Sequence, residues 1–165
     1  MREPGPLTQV LADEAATRSA GAALARALEA EGAAGAFVTL TGDLGAGKTT
    51  LERGVLEAHG VTGPVRSPTY TLVESYAVGP ARLHHLDWYR LSGVDDLEGI
   101  GFRDLQGPGQ WLLVEWPQRV AAVALSADLA LGLDYDGAGR RLTVHARSGL
   151  GARLLAHWKA DPALD

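Results

Sequence analysis

The sequence has no cysteine and no asparagine, only two lysines (Lys48 and Lys159), one methionine and 6% aromatic residues. Without cysteine there is no disulfide scaffold and no thiolate-ligated zinc. Without asparagine the Asn-Lys-x-Asp motif that reads guanine cannot exist, so a GTP-dependent switch is disfavoured. No apolar run reaches the ~18 residues of a membrane span. The first eleven residues carry two prolines and no apolar stretch of signal-peptide length. A cytoplasmic protein with no membrane partner is expected. Positive charge is also scarce: 15 Lys and Arg against 20 Asp and Glu give a net charge of −5. Stand-alone nucleic-acid binders are usually basic, so any meeting with RNA is expected to go through a partner. The 165 residues are 46% hydrophobic. That suits one globular domain over residues 1–165, with residues 1–12 expected to be loosely ordered.

Helical and strand patterns alternate along the first two thirds. Asp13 to Glu31 is Ala-rich with apolar residues at helical spacing and a capping aspartate. Ala36 to Thr41 reads as a buried strand and Lys48 to His59 as a helix. Thr69 to Val78 and Arg82 to Leu86 read as strands, Asp95 to Leu105 as a helix, and Trp111 to Val114 as a buried strand. Two alternating runs, Leu129 to Tyr135 and Leu142 to Ala146, flank the turn Asp136-Gly137-Ala138-Gly139 and predict a hairpin. A short helix, Leu150 to Trp158, closes the chain. The whole predicts an α/β fold, a layered arrangement with a mixed sheet and a C-terminal β-hairpin.

Gly42-Asp43-Leu44-Gly45-Ala46-Gly47-Lys48-Thr49 fits G-x-x-x-x-G-K-[ST] in full, between a strand and a helix. Glycines let the backbone wrap an anion with its N–H groups turned inward. The following helix adds roughly half a positive charge at its N-terminus. Lys48 is placed to reach the β- and γ-phosphates and the Thr49 hydroxyl to ligate Mg2+. Asp43 is expected to face out, because an inward carboxylate would repel phosphate. Such a site also needs acids at neighbouring strand ends. Glu115 and Asp87 qualify, and each could instead cap a turn. Thr69, after Ser67-Pro68, is either a hydroxyl that senses the γ-phosphate or an ordinary strand start. Trp116 either flanks a nucleotide or fills core. His84 and His85 point to opposite faces of a strand, so they read as packed or hydrogen-bonded rather than as one metal pair. Arg140 and Arg141, at the hairpin turn, read as a solvated edge.

Four segments together resemble one family. They are Gly42 to Thr50, Ser67 to Val73, His85-Leu86-Asp87-Trp88-Tyr89-Arg90-Leu91, and Leu113-Val114-Glu115-Trp116-Pro117. In this order they are similar to the TsaE (YjeE) family, the small ATPase of bacterial tRNA threonylcarbamoyladenosine biosynthesis. The resemblance makes the expected fold a P-loop NTPase-like three-layer sandwich, and it implies ATP and Mg2+ as ligands, slow hydrolysis alone, and action on the TsaD–TsaB pair. It implies phosphate and Mg2+ roles for Lys48 and Thr49, with Thr50 completing the nucleotide loop. It makes Thr69 switch-like, Asp87 a Walker-B-type aspartate and Glu115 the glutamate of hydrolysis. Trp116 would lie near the nucleotide, and Thr49, Asp87 and Glu115 would surround the metal. A small-molecule P-loop kinase is the competing reading. It is weakened by the lack of an Arg-rich lid segment between Leu91 and Trp111.

Overall fold

In the computed structural model, residues 4–65 and 67–164 are described. Strand β1 (Leu7–Leu11) leads into helix α1 (Glu14–Ala30), strand β2 (Ala36–Thr41) and helix α2 (Lys48–Ala58). Strands β3 (Val73–Val78) and β4 (Ala81–Asp87), helix α3 (Val94–Gly99) and strand β5 (Gln110–Glu115) follow. Helix α4 (Ala121–Ala124), strands β6 (Leu129–Asp136) and β7 (Gly139–Ala146) and helix α5 (Gly149–Lys159) complete the chain. One mixed sheet runs in the order β1-β7-β6-β2-β5-β4-β3. Its centre, β6-β2-β5-β4, is parallel; β7 and β3 flank it antiparallel, and β1 pairs antiparallel with β7 at the outer edge.

Side chains alternate across a strand, so the central strands feed two cores. Ala36, Val38, Trp111 and Leu113 join the layer under α1, α2 and α5, which includes Leu24, Leu28, Leu51, Val55, Leu154 and Trp158. Phe37, Leu112 and Val114 face the other way, with Trp88, Leu97 and Phe102. Both faces of the parallel centre are therefore covered, as burial of an all-apolar strand requires. Asp13 caps α1 by accepting from the Ala16 amide at 2.8 Å. No helix among the described residues is long and apolar enough to cross a membrane.

Three elements depart from the sequence pattern. Residues 7–11, expected to be loose, form the edge strand β1, paired with β7 from Leu7↔Val144 to Leu11↔Arg140, and Leu11 is fully buried. Met1 to Glu3 lie outside the described residues. The strand expected from Thr69 begins only at Val73, because the Leu72 amide turns back to the Pro68 carbonyl and Leu72 has φ 67°. The helix expected over 95–105 stops at Gly99. Gly101 adopts φ 71°, and a separate 3-10 turn, Phe102–Leu105, follows.

Candidate functional site

Because β2, β4, β5 and β6 run parallel, their C-terminal ends share one edge of the sheet, where clefts of α/β folds form. The glycine loop leaves β2 there with Gly45 at φ 79° and Gly47 at φ 107°, conformations that side chains resist. The loop feeds α2 directly, so the helix N-terminus points at the cleft. The cleft has a volume of about 370 Å³ and is lined by the loop, the first turn of α2, Ser67, Thr69, Asp87, Tyr89, Glu115 and Trp116.

Asp87 and Glu115 end adjacent strands as register partners. The Ser67 hydroxyl sits between them, 2.8 Å from Asp87 Oδ2 and 2.9 Å from Glu115 Oε2. Thr69 Oγ1 also faces Asp87 Oδ2, at 3.4 Å, and the Tyr89 amide donates to Asp87 Oδ1 at 2.8 Å. Two carboxylates and several hydroxyls make an all-oxygen set, the donor chemistry of Mg2+. The residues present therefore fit the metal: Asp87, Glu115 and Thr49 would hold it.

Lys48 is buried. Its Nζ donates to the Gly42 carbonyl at 2.7 Å, stands 3.9 Å from Glu115 Oε1 and lies 4.1 Å from the centroid of the Trp116 ring. Trp116 is held in the left-handed region, φ 57° and ψ 48°, at a cost of about 1–3 kcal/mol. That turn aims the indole at the cleft instead of continuing the strand, and Tyr89 meets it edge-on at 5.0 Å.

Behind the cleft lies a buried charge cluster. His85 Nε2 is 2.6 Å from Glu52 Oε2 and 2.7 Å from Glu115 Oε2. Burial opposes its charge, but the two carboxylates prevail and raise its pKa to about 10. Burial pushes Glu52 up to about 7 against the pull of His85. Burial also works against ionised Glu115, yet His85, Ser67 and Lys48 hold its pKa below the ordinary value. Ligand atoms of Glu52, His85 and Glu115 lie within 4.8 Å of one another.

With this geometry in view, the comparisons decide the family. The model of "Threonylcarbamoyl adenosine biosynthesis protein TsaE" matches residues 11–142. The chain belongs to the TsaE family. It is 40% identical over 120 residues to the tRNA threonylcarbamoyladenosine biosynthesis protein TsaE of Haemophilus influenzae, covering 73% of this chain and 76% of that one. It is 39% identical over 146 residues to the protein of the same name from Streptomyces coelicolor, covering 82% and 92%. The solved structure of YdiB from Bacillus subtilis superposes with a TM-score of 0.72 at 26% identity, over 96% of this chain and 97% of that one. A P-loop α/β fold and a part in tRNA threonylcarbamoyladenosine biosynthesis follow from membership.

In this TsaE-family chain, Leu44, Gly45, Gly47, Lys48, Thr49, Thr50, Thr69, Asp87, Glu115 and Trp116 all reach one cleft. Three loop residues do not line it. Gly42 packs against the Leu133 backbone, Asp43 is exposed, and Ala46 is buried on the outer side with Arg140. Sequence reasoning passed over four contributors: Ser67, Tyr89, Glu52 and the His85 bridge. Ser67 and Tyr89 did stand inside the quoted motifs. Glu52 carried a usable signal, an acid one turn after Lys48 on a helix face that is otherwise apolar. The reading of Arg140 as a solvated edge is corrected: it is half-buried and donates to the loop carbonyls of Gly45 and Ala46, each at 3.1 Å. Arg141 is exposed and pairs with Asp136.

Proposed function

We propose that this chain is a Mg2+-dependent ATPase that serves tRNA N6-threonylcarbamoyladenosine formation by acting on a TsaD–TsaB pair in the cytoplasm. One observation carries the reading: Lys48, Asp87, Glu115 and the hydroxyls of Thr49, Thr50, Ser67 and Thr69 meet at the mouth of a positive-φ glycine loop. Magnesium bound there would supply charge neutralisation at the β- and γ-phosphates. Lys48 leaves the Gly42 carbonyl and turns to the same phosphates. Glu115, held ionised by His85, orients the attacking water, while Asp87 is fixed by the Tyr89 amide and Ser67. Trp116 and Tyr89 wall the cleft and limit water around the nucleotide.

Catalysis of this kind is positional and electrostatic, so it depends on full preorganisation. With Lys48 on a backbone carbonyl and Ser67 between the two acids, the resting site is arranged for its own stability. Turnover alone is therefore slow, and partner docking completes the site. The net charge of −5 favours contact with tRNA through the partner pair. The kinase reading gains no support from the 91–111 segment, which holds only α3 and a 3-10 turn.

The test is Mg2+-dependent ATP hydrolysis with and without the purified TsaD–TsaB pair from the same source. Stimulation of tenfold or more, lost in Glu115→Ala with binding retained, is the expected result. Equal turnover with and without the pair would overturn the partner assignment. Phosphoryl transfer to a metabolite would favour the kinase.

A further inference from the structure

Every backbone carbonyl of the glycine loop has a donor, and the donors come from three places. Gly42 accepts from Lys48 Nζ, Asp43 from the Ala46 amide at 3.0 Å, and Gly47 from the Leu51 amide at 2.9 Å. The three carbonyls between are held from outside. Leu44 accepts from the Tyr135 hydroxyl at 2.9 Å. Gly45 accepts from Arg140 Nη2 and Ala46 from Arg140 Nε, both at 3.1 Å. Among the described residues, the amides of Gly45, Gly47, Lys48 and Thr49 have no protein acceptor. The carbonyls of Leu44, Gly45 and Ala46 are thus turned toward β6 and β7, and these amides are left without a competing acceptor.

Tyr135 and Arg140 are directly opposite each other on β6 and β7, and the guanidinium lies 4.3 Å over the tyrosine ring. The register explains why they meet the loop. Strand β6 pairs with β2 only from Leu129 to Gly132, so residues 133–136 overhang the end of β2 and run beside the loop. Gly42 and Gly45 permit the approach. A Cβ on Gly42 would fall 2.7 Å from the Leu133 carbonyl oxygen, and one on Gly45 would fall 2.9 Å from the Tyr135 hydroxyl. Strand β1 backs the arrangement, since Leu11 pairs with Arg140 on its other side.

We infer that Tyr135 and Arg140 are positioning residues for nucleotide binding, a cross-strand clamp that holds the glycine loop in its anion-receiving form from the side away from the cleft. They act through carbonyls and touch no ligand. The clamp matters most once Lys48 has left Gly42 for a phosphate, because the loop then loses its one side-chain donor from the cleft side. An unclamped loop would have to order its peptides at binding, which weakens affinity without altering the cleft's chemistry. The inference rests on the nucleotide reading above.

The test measures Mg·ATP affinity by calorimetry, thermal unfolding without nucleotide, and hydrogen exchange of the loop amides. The full chain is compared with Arg140→Ala, Arg140→Lys, Tyr135→Phe and Arg141→Ala. Arg140→Ala is expected to weaken binding at least tenfold and Tyr135→Phe several-fold, with faster exchange of the loop amides and little change in unfolding temperature. Arg140→Lys, which offers one ammonium for two carbonyls, recovers only part of the loss. Arg141→Ala, next door and exposed, behaves as wild type. Unchanged affinity and loop exchange in both Arg140→Ala and Tyr135→Phe would overturn the clamp. So would a loss of affinity matched by a general fall in unfolding temperature and general loss of exchange protection. If the wild type binds no ATP, the functional reading fails. Unchanged loop exchange in Arg140→Ala would then overturn the clamp separately, and faster exchange confined to the loop would support it.

Discussion

The ammonium of Lys48 lies 3.9 Å from Glu115 Oε1, yet its hydrogen bond goes to the Gly42 carbonyl at 2.7 Å. Attraction to a carboxylate at that distance is real but is shared with a polar cleft. The carbonyl supplies the short directional contact. The lysine's short contact is thus with a neutral acceptor, beside the acid rather than on it.

Lys48→Ala is therefore expected to lower Mg·ATP affinity by two orders of magnitude or more, because a phosphate-facing charge-assisted hydrogen bond is lost with its counter-charge. Stability without nucleotide should fall by only about 1–2 kcal/mol, since one hydrogen bond and part of an ion pair are removed. Calorimetric titration reads the first effect and urea unfolding the second. A binding constant within a few-fold of wild type would remove Lys48 from the phosphate role.

The His85 cluster predicts an alkaline decline in stability. His85 is raised from 6.5 to about 10, so its contribution is complete below about 6.5 and is lost as pH rises through about 10. Glu52, raised from 4.5 to about 7, has the same sign, because the folded chain holds that proton more tightly than the unfolded chain over this interval. Urea unfolding followed from about pH 6 to about pH 10 should show a steady fall, on top of the general background. His85→Gln strands two buried carboxylates and should cost about 3–5 kcal/mol at neutral pH, with a flatter alkaline slope. A slope equal to the wild type's would mean that another group carries the decline.

Helix α2 is seated by glycine on α1. A Cβ added to Gly21 would overlap the Leu51 carbonyl, and one added to Gly54 would overlap the Arg18 carbonyl. Alanine at a helix interior normally helps by about 1 kcal/mol, but overpacking here should cost about 1–3 kcal/mol net. Gly54→Ala should also weaken ATP binding, because Lys48 lies on the same helix. Thermal unfolding gives the sign directly, and a stabilised Gly54→Ala would refute the close-contact account.

The sequence exposed what is local. The loop glycines, the apolar strands ending in Glu115 and Asp87, and the alternating hairpin are all patterns carried by one continuous stretch of chain. What stayed hidden depends on distant partners. Strand β1 is a short edge strand after two prolines, and its pairing partner Val144 lies near the other end of the chain. Arg140 reads as a turn residue until its acceptors at Gly45 and Ala46 are seen across the sheet. Glu52 shows in sequence as an acid on an apolar helix face, and His85 as a strand histidine, but neither names its partner. Only the packing of α2 on β4 makes them a buried pair with Glu115.

The four tryptophans are spread over the two core layers and the cleft. Trp88 meets Phe37 at a tilt and Phe102 edge-on in the smaller core layer. Trp111 and Trp158 lie in the larger layer, Trp111 against His59 at 5.1 Å. Trp116 stands in the cleft under Lys48. The protein thus carries its own optical reporters. Emission from Trp116 reports on the cleft, while Trp88 and the Trp111–Trp158 pair report on the two layers separately, so variants retaining one tryptophan at a time would show whether the two faces of the sheet come apart together or in turn.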